Sequence, residues 1–151
     1  PYRLVKGRGK LIVLVDDQEP VLHIGKRLLE RIGFYCEAFS DARLAIEYVE
    51  KEIANVVLVI TDLSMPVMSG LALAQKLNEL NPDLPIVLTT GNSTGLSAEE
   101  LSSWGVGRLL SKPFSLHDLS DCVSSLFGGD TVLIQRECQS EWEHPDESDR
   151  S

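Results

Sequence analysis

Cysteine and histidine are scarce in this chain of 151 residues, and neither is placed to build a structural site. Cys36, Cys122 and Cys138 are scattered along the sequence without a C-x-x-C pair. The three histidines lie far apart and do not form a metal-ligand pair. This pattern argues against a zinc domain and a disulfide framework, and it favours reduced thiols in a cytoplasmic protein.

Long apolar runs and an excess of basic residues are also missing. The longest apolar run, residues 56–60, has the length of a strand, far below the roughly 20 residues of a membrane-spanning helix. The basic first ten residues are not followed by a signal-peptide core. With 14 basic and 23 acidic residues the net charge is −9. Because nucleic acids and anionic membranes bind basic surfaces, we expect contact with neither.

Apolar runs alternate five times with amphipathic stretches. A strand followed by a helix, repeated in this way, predicts an α/β fold with a doubly wound, five-stranded parallel sheet. The predicted strands are residues 11–15, 35–39, 56–61, 85–89 and 108–111. The predicted helices are 19–32, a second helix that runs to about residue 51, 71–80, 98–104 and 115–127. Either Ser40 or Asp41 can cap the second helix.

The length of the chain allows one domain with a proper core. We place this domain at residues 10–128, after an N-terminal extension at 1–9 and before an acidic tail or linker at 129–151. The chain does not begin with Met, so both a stand-alone protein and a domain of a longer one fit the sequence.

Three carboxylates follow predicted strands directly: Asp16 and Asp17 after the first, and Asp62 after the third. The carboxyl ends of parallel strands share one rim, where ligands bind in such sheets. Two unit charges about 4 Å apart repel by roughly 4 kcal/mol at an effective dielectric near 20, so the cluster needs a cation or raised pKa values. Magnesium suits oxygen ligands beside a phosphate. Each Asp alone is equally well explained as a helix cap or a turn residue.

Two further residues at the same rim can bind an anion. Lys112 follows the fifth predicted strand and Thr90 the fourth, while Gly91 leaves the approach open. A lone lysine in a loop is usually a solvated charge. Together with three carboxylates, however, an ammonium and a hydroxyl fit phosphoryl transfer, where catalysis consists chiefly of positioning and charge neutralisation.

Four segments of the chain form a recognisable set: Asp16-Asp17, D-L-S-M-P-V-M-S-G at 62–70, L-P-I-V-L-T-T at 84–90, and K-P-F at 112–114. They resemble the response-regulator receiver domains, whose best-known member is the bacterial chemotaxis regulator. The resemblance covers about residues 10–127 and implies a flavodoxin-like (βα)5 fold. The region around Thr90 and Leu109 looks most like the receivers of hybrid sensor histidine kinases.

The resemblance implies that Asp62 accepts a phosphoryl group from a phosphohistidine. Asp16, Asp17 and Asp62 would bind Mg²⁺, with Mn²⁺ as an alternative, together with the backbone carbonyl of Ser64. The domain would catalyse its own phosphorylation and dephosphorylation rather than act as a conventional turnover enzyme, unless it forms part of a hybrid kinase. Its partners would be a sensor histidine kinase or a phosphotransfer domain. Independently of the resemblance, the face of the fourth and fifth helices with Trp104 is a candidate surface for a partner or a homodimer, and a partly packed Trp104 is the alternative.

Other positions receive roles from the same resemblance. Thr90 and Lys112 would hold phosphoryl oxygens, and the Lys112–Pro113 peptide bond would be cis. Ser64 and Asn92 would tune the lifetime of the phosphoryl group. The family often has Tyr or Phe, as part of its conformational switch, where this chain has Leu109, and an isobutyl group cannot give the same rotameric signal.

Three alternatives remain open. A phosphatase of the haloacid dehalogenase type would have a second Asp where this chain has Ser64, and its nucleophile near the first strand. A flavodoxin-like cofactor binder would have a Ser-, Thr- or Gly-rich loop where Asp16-Asp17-Gln18 stands. A degenerate receiver would act only as a protein-interaction module.

Overall fold

The computed structural model describes residues 10–91 and 95–127. The strands are β1 (Leu11–Val15), β2 (Tyr35–Phe39), β3 (Val56–Asp62), β4 (Ile86–Thr90) and β5 (Arg108–Ser111). The helices are α1 (Glu19–Ile32), α2 (Ala42–Lys51), α3 (Gly70–Leu80), α4 (Ala98–Ser103) and α5 (Leu116–Phe127). The predicted extension at 1–9 and tail at 129–151 lie outside the described residues.

The five strands form one parallel sheet in the order β2-β1-β3-β4-β5. One buried cluster contains residues of α1 and α5, and the other contains residues of α2, α3 and α4, so helices cover both faces. The predicted doubly wound fold is thereby confirmed. Strand order reverses between β1 and β3, and ligands bind at such a reversal in open α/β sheets.

Burial on both faces explains the continuous apolar runs in the strands. In β1, Ile12 and Leu14 join the core against α1 and α5, while Val13 and Val15 join the opposite core. Successive side chains of a strand point to opposite faces, and here both faces exclude water. The sheet is thereby fixed in register, which holds the polar residues that follow each strand at one rim.

Three predicted strand bounds differ by one residue from the structure. β4 ends at Thr90, although the prediction placed the end of this strand at residue 89. β4 begins at Ile86 instead of Pro85, whose carbonyl accepts a hydrogen bond from Val59 N–H but which has no N–H of its own for the ladder. β3 extends one residue further, so that Asp62 is its last residue. The side chain of Asp62 is therefore held by the sheet instead of by a loop.

The helix ends follow the expected capping chemistry. The Asp41 carboxylate accepts a hydrogen bond from Arg43 N–H and caps α2, so of Ser40 and Asp41 it is the second that fills this role. Gly33 ends α1 at φ 113°, a left-handed conformation that costs glycine little.

Cys36 and Cys122 are buried free thiols, while Cys138 lies outside the described residues. Burial raises the pKa of Cys36 to about 12 and that of Cys122 to about 11, so both thiols are neutral at ordinary pH. Among the described helices, none is both long enough and apolar enough to cross a bilayer.

Candidate functional site

The three carboxylates that follow β1 and β3 meet at the rim where strand order reverses. One ligand oxygen from each of Asp16, Asp17 and Asp62 lies within 4.8 Å of the others. Asp16 is 2% exposed and Asp62 6%, whereas Asp17 is open to solvent. Asp16 also accepts a hydrogen bond from Gln18 N–H at 2.9 Å, which holds its carboxylate at the start of α1.

Lys112 brings a positive charge to this cluster from the end of β5. Its Nζ lies 3.1 Å from Asp16 Oδ2 and 3.1 Å from Asp62 Oδ1. The lysine side chain is 17% exposed, so the ammonium is largely withdrawn from water. Such a position is favourable only with good charge partners, and the two carboxylates provide them.

The electrostatic balance of the cluster is uneven. Burial raises the pKa of Asp62, and the negative charges of Asp16 and Asp17 add to the rise, while Lys112 opposes it. Burial disfavours the charge on Lys112, but its hydrogen bonds to Asp16 and Asp62 outweigh this effect and raise its pKa. One ammonium therefore faces three carboxylates, and the excess negative charge favours a further cation.

Thr90 is buried at the end of β4, beside the segment that carries Lys112. It pairs with Ser111 of β5, and its carbonyl accepts a hydrogen bond from Lys112 N–H at 2.8 Å. The fourth and fifth strands thus place the hydroxyl-bearing residue and the ammonium-bearing residue at the same rim. A Cβ added at Gly91, which follows Thr90, would meet no other atom within 4 Å, so the space there is open.

The loop between β3 and α3 closes tightly against Asp62. Gly70 N–H donates to the carbonyl of Leu63, and Leu63 N–H donates to Thr89 of β4. A Cβ at Gly70 would overlap the carbonyl oxygen of Asp62, so only glycine fits this contact. The Thr61 hydroxyl also donates to that carbonyl at 3.1 Å. Neither contact was evident in the sequence, which showed Gly70 only as part of a motif.

Ser64 is exposed in this loop, two residues after Asp62, and Leu109 is half-buried against the core of α2, α3 and α4. The Lys112–Pro113 peptide bond is cis. Asn92 lies outside the described residues, so its predicted role in phosphoryl lifetime stays a prediction.

Val67, in the same loop, has an unfavourable backbone conformation. Its φ is 72°, and Met68 N–H donates to Pro66 O at 2.7 Å, which makes a tight γ-turn around Val67. A β-branched residue is strained at positive φ, and the side chain is 83% exposed, so packing does not compensate.

We therefore expect Val67→Asn to raise the free energy of unfolding by about 1 kcal/mol, because Asn tolerates positive φ better than Val. Urea denaturation of the variant and the unaltered chain measures the change. Leu44→Asn, at an exposed helical position, is the control and should not stabilise the chain. Equal denaturation midpoints for the Val67→Asn variant and the unaltered chain would show that the turn is unstrained.

A second feature that sequence reasoning missed is an apolar cavity beside the acidic cluster. Its volume is about 230 Å³, and Ile24 at its wall is 55% exposed. The residues that line it come from the start of α1 and from the segment after β5: Gln18, Val21, Ile24, Lys112, Pro113 and Phe114. No spacing in the sequence pairs these segments, because only folding brings them together.

The donor set fits a hard divalent cation. All three ligands are carboxylate oxygens, which Mg²⁺ prefers, and no sulfur or imidazole ligand lies in the described cluster. The carboxylates are close enough to repel one another, and this repulsion contributes to the raised pKa of Asp62. Asp16, Asp17 and Asp62 are therefore the residues that can hold a metal here.

Fold and cluster together define a doubly wound α/β protein with an acidic site at the strand-order reversal. The family model described as the response regulator receiver domain matches residues 12–124. The chain therefore belongs to the response regulator receiver domain family, and it is a receiver domain of two-component signalling systems.

Curated relatives differ in how much of their length the match covers. The response regulator receiver protein CpdR of Brucella abortus is 32% identical over 78% of this chain and 96% of its own length. The transcriptional regulatory protein DctD of Rhizobium meliloti is 34% identical over 69% of this chain, but the match spans only 22% of DctD. The sensor kinase CckA of Brucella abortus is 29% identical over 76% of this chain and 12% of CckA.

Solved structures share the fold. The chemotaxis protein CheY4 of Vibrio cholerae superposes with a TM-score of 0.71 at 23% identity, covering 79% of this chain and 99% of CheY4. The receiver domain of the sensor histidine kinase PA1611 of Pseudomonas aeruginosa, whose structure has a magnesium ion in the active site cleft, gives a TM-score of 0.70 at 21% identity. That match covers 80% of this chain and 99% of the Pseudomonas domain.

Proposed function

We propose that this domain accepts a phosphoryl group from a phosphohistidine onto Asp62 in a Mg²⁺-dependent reaction. The observation that carries this proposal is the convergence of three carboxylates and the Lys112 ammonium at one rim of the sheet. A structural ion pair would need one carboxylate for one lysine. Three carboxylates for one lysine leave negative charge that favours a metal, while the ammonium remains available to a phosphoryl oxygen.

Asp16, Asp17 and Asp62 would hold the metal, with the backbone carbonyl of Ser64 as a further ligand and Mn²⁺ as a substitute for Mg²⁺. When bound, the ion would neutralise the carboxylates and withdraw charge from the phosphoryl oxygens. The loop closure at Gly70 supports the role of Ser64, because it fixes the main chain that follows Asp62.

In the transfer, a carboxylate oxygen of Asp62 forms a bond to phosphorus as the bond from phosphorus to the histidine nitrogen breaks. Asp62 must be ionised to attack, and the Lys112 ammonium favours this form against burial. Lys112 and Thr90 would bind the phosphoryl oxygens. In dephosphorylation, water attacks the same phosphorus and Asp62 leaves as a carboxylate, with Ser64 and Asn92 tuning access.

The conformational response would run through Thr90 and α4 with a smaller movement than in receivers that have an aromatic residue at position 109. Leu109 is half-buried against the core of α2, α3 and α4, and its isobutyl group lacks the bulk of a phenol ring. We also propose that the chain forms a homodimer through α4 and α5. Its location would be cytoplasmic, and it would not bind nucleic acid.

The phosphoryl donor would be a sensor histidine kinase or a phosphotransfer domain. It would approach over the apolar cavity formed by α1 and the Lys112–Phe114 segment, which adjoins the carboxylates. Ile24 offers an exposed apolar contact there, and such a contact beside a reactive site favours a protein partner.

Ile24→Glu is therefore expected to slow transfer from a phosphorylated histidine domain by roughly 10-fold or more, because a charge would be buried in the contact. Phosphorylation by acetyl phosphate should be unchanged, since this small donor needs no docking surface. Leu44→Glu on α2 is the matched control, because Leu44 is 53% exposed and Ile24 55%. Equal rates for both variants with the protein donor would remove α1 from the docking face.

Labelling by acetyl phosphate separates a working acceptor from a degenerate receiver. A working acceptor gives an acid-stable, base-labile phosphoryl group. This label forms when Mg²⁺ is present and does not form when EDTA has removed the metal. A degenerate receiver gives no label under either condition, and that result would reduce the chain to a protein-interaction module.

A further inference from the structure

A larger cavity lies at the opposite end of the sheet from the acidic cluster. Its volume is about 650 Å³, and it adjoins the start of β1 and the edge strand β2, between α1 and α2. Lys10 and Leu11 form part of its wall, as do Tyr35, Cys36 and Glu37 of β2. The proposed phosphoryl transfer uses none of these residues.

The outer edge of β2 lacks a partner strand among the described residues. β2 is the first strand in the sheet order and pairs only with β1 there. Tyr35 N–H donates to Lys10 O and Phe39 O accepts from Asp16 N–H, so Tyr35, Glu37 and Phe39 face β1. By the alternation along a strand, the N–H groups of Cys36 and Ala38 point outward. Open edges of this kind invite pairing with another extended segment.

The cavity wall carries more negative than positive charge. Glu30, Glu37 and Glu52 line it, against Lys10 and Lys26. Within the part of the chain that the structure describes, none of the three carboxylates forms a salt bridge. Burial raises the pKa of Tyr48 in the same wall, and the negative charges of Glu37 and Glu52 add to the rise.

The nine residues that precede Lys10 in the sequence have the complementary composition. Residues 1–9 contain Arg3, Lys6 and Arg8, no acidic residue, and the apolar side chains of Tyr2, Leu4 and Val5. Nine residues span at most about 30 Å when extended, more than the length of β2. Covalent attachment gives the segment an effective concentration on the order of millimolar, so weak contacts suffice to hold it.

We propose that residues 1–9 bind in this cavity, pair with the outer edge of β2 and neutralise its three carboxylates. The acidic C-terminal tail is the wrong occupant on charge grounds, since it would meet Glu30, Glu37 and Glu52. A second copy of the chain is the remaining alternative, and it differs from an intramolecular segment in its dependence on protein concentration.

The test compares the full chain with an Arg3→Glu/Lys6→Glu/Arg8→Glu variant by hydrogen exchange measured at single amides with NMR. We expect the outward amides of Cys36 and Ala38 to exchange at least about 10-fold faster in the variant, because their acceptors are lost. The Glu37 amide faces β1 and should keep its rate. The charge-matched control is Lys76→Glu/Arg136→Glu/Arg150→Glu, which leaves residues 1–9 intact and should behave as the full chain.

A second variant tests the charges directly. When Glu37→Lys and Glu52→Lys are added to the variant with glutamates at positions 3, 6 and 8, the cavity and the segment again have opposite charges. Exchange at Cys36 and Ala38 is then expected to be slow again. The proposal would be overturned if the amides of Cys36 and Ala38 exchanged at the same rate in the Arg3→Glu/Lys6→Glu/Arg8→Glu variant as in the full chain. It would also be overturned by protection that grows with protein concentration, which indicates a second copy, or by protection lost only on removal of residues 129–151, which indicates the tail.

Discussion

Asp62→Asn is expected to abolish phosphorylation, lowering the rate of labelling by acetyl phosphate on the order of 10³-fold or more. The amide has no anionic oxygen to attack phosphorus, and it removes one of the three carboxylates that would bind the metal. The substitution is nearly isosteric, and Asp62 is held as the last residue of β3, so the fold should persist. Acid-stable radiolabel, followed in Mg²⁺ over time, measures the loss.

Asp83→Asn is the control for this experiment, because Asp83 is exposed between α3 and β4 and lies outside the carboxylate cluster. It should label at the rate of the unaltered chain. Thermal unfolding without Mg²⁺ serves as a second check that the Asp62→Asn variant is folded. Repulsion among the carboxylates should destabilise this variant less than the unaltered chain, because one of the three negative charges is gone. Label retained by a folded Asp62→Asn variant would move the acceptor to another residue, and the proposed chemistry would be wrong.

Lys112→Met is expected to change the stability of the chain in a way that depends on Mg²⁺, and to slow phosphorylation. Without Mg²⁺ it should lower the free energy of unfolding by about 2 kcal/mol, because Asp16 and Asp62 lose a partner 3.1 Å away. With Mg²⁺ it should recover most of that loss, since the carboxylates then bind the ion without competition from the ammonium. Phosphorylation should nevertheless fall by roughly 10²-fold, because one donor to the phosphoryl oxygens is missing.

The Mg²⁺-induced rise in melting temperature measures the first two effects, and it should be larger for the Lys112→Met variant than for the unaltered chain. Lys51→Met is the matched control, because Lys51 is exposed at the end of α2, and it should change neither stability nor labelling. An equal Mg²⁺-induced rise with and without the Lys112→Met substitution would show that Lys112 does not compete for the metal ligands. Normal labelling of this variant would remove Lys112 from the transfer.

Two experiments distinguish failure of the proposed function from failure of the proposed docking of residues 1–9. Labelling of Asp62 depends on the rim at the carboxyl ends of the strands, whereas exchange at Cys36 and Ala38 depends on the edge of β2. The two regions share no wall residue. Either result can therefore be obtained without the other.

The sequence predicted the sheet because the burial of each element determines the spacing of apolar residues along it. Strands covered on both faces need apolar residues at every position, as in β1, and helices covered on one face repeat every three to four residues. The end of β1 was predictable for the same reason, since Asp16 and Asp17 interrupt an apolar run that has to stop at the rim.

Contacts between segments that are distant in the sequence are not marked by any such spacing of residues. The apolar cavity joins Ile24 of α1 to Phe114 after β5, and the loop closure sets Gly70 against the Asp62 carbonyl. Neither contact follows from a spacing, because both depend on how closely a helix approaches the sheet. The choice of Asp41 over Ser40 as a cap and the strain at Val67 are also set by backbone angles that neighbouring residues share.

The amino-acid order by itself determined the elements, their alternation and the set of charged residues that follow the strands. Tertiary structure alone decided that the Lys112 ammonium lies 3.1 Å from both Asp16 and Asp62, since Lys112 is far from both along the chain. The physical reason is that periodic burial is a local property of the sequence, whereas an ion pair between strand ends depends on strand order and register. Those are fixed only when both cores pack.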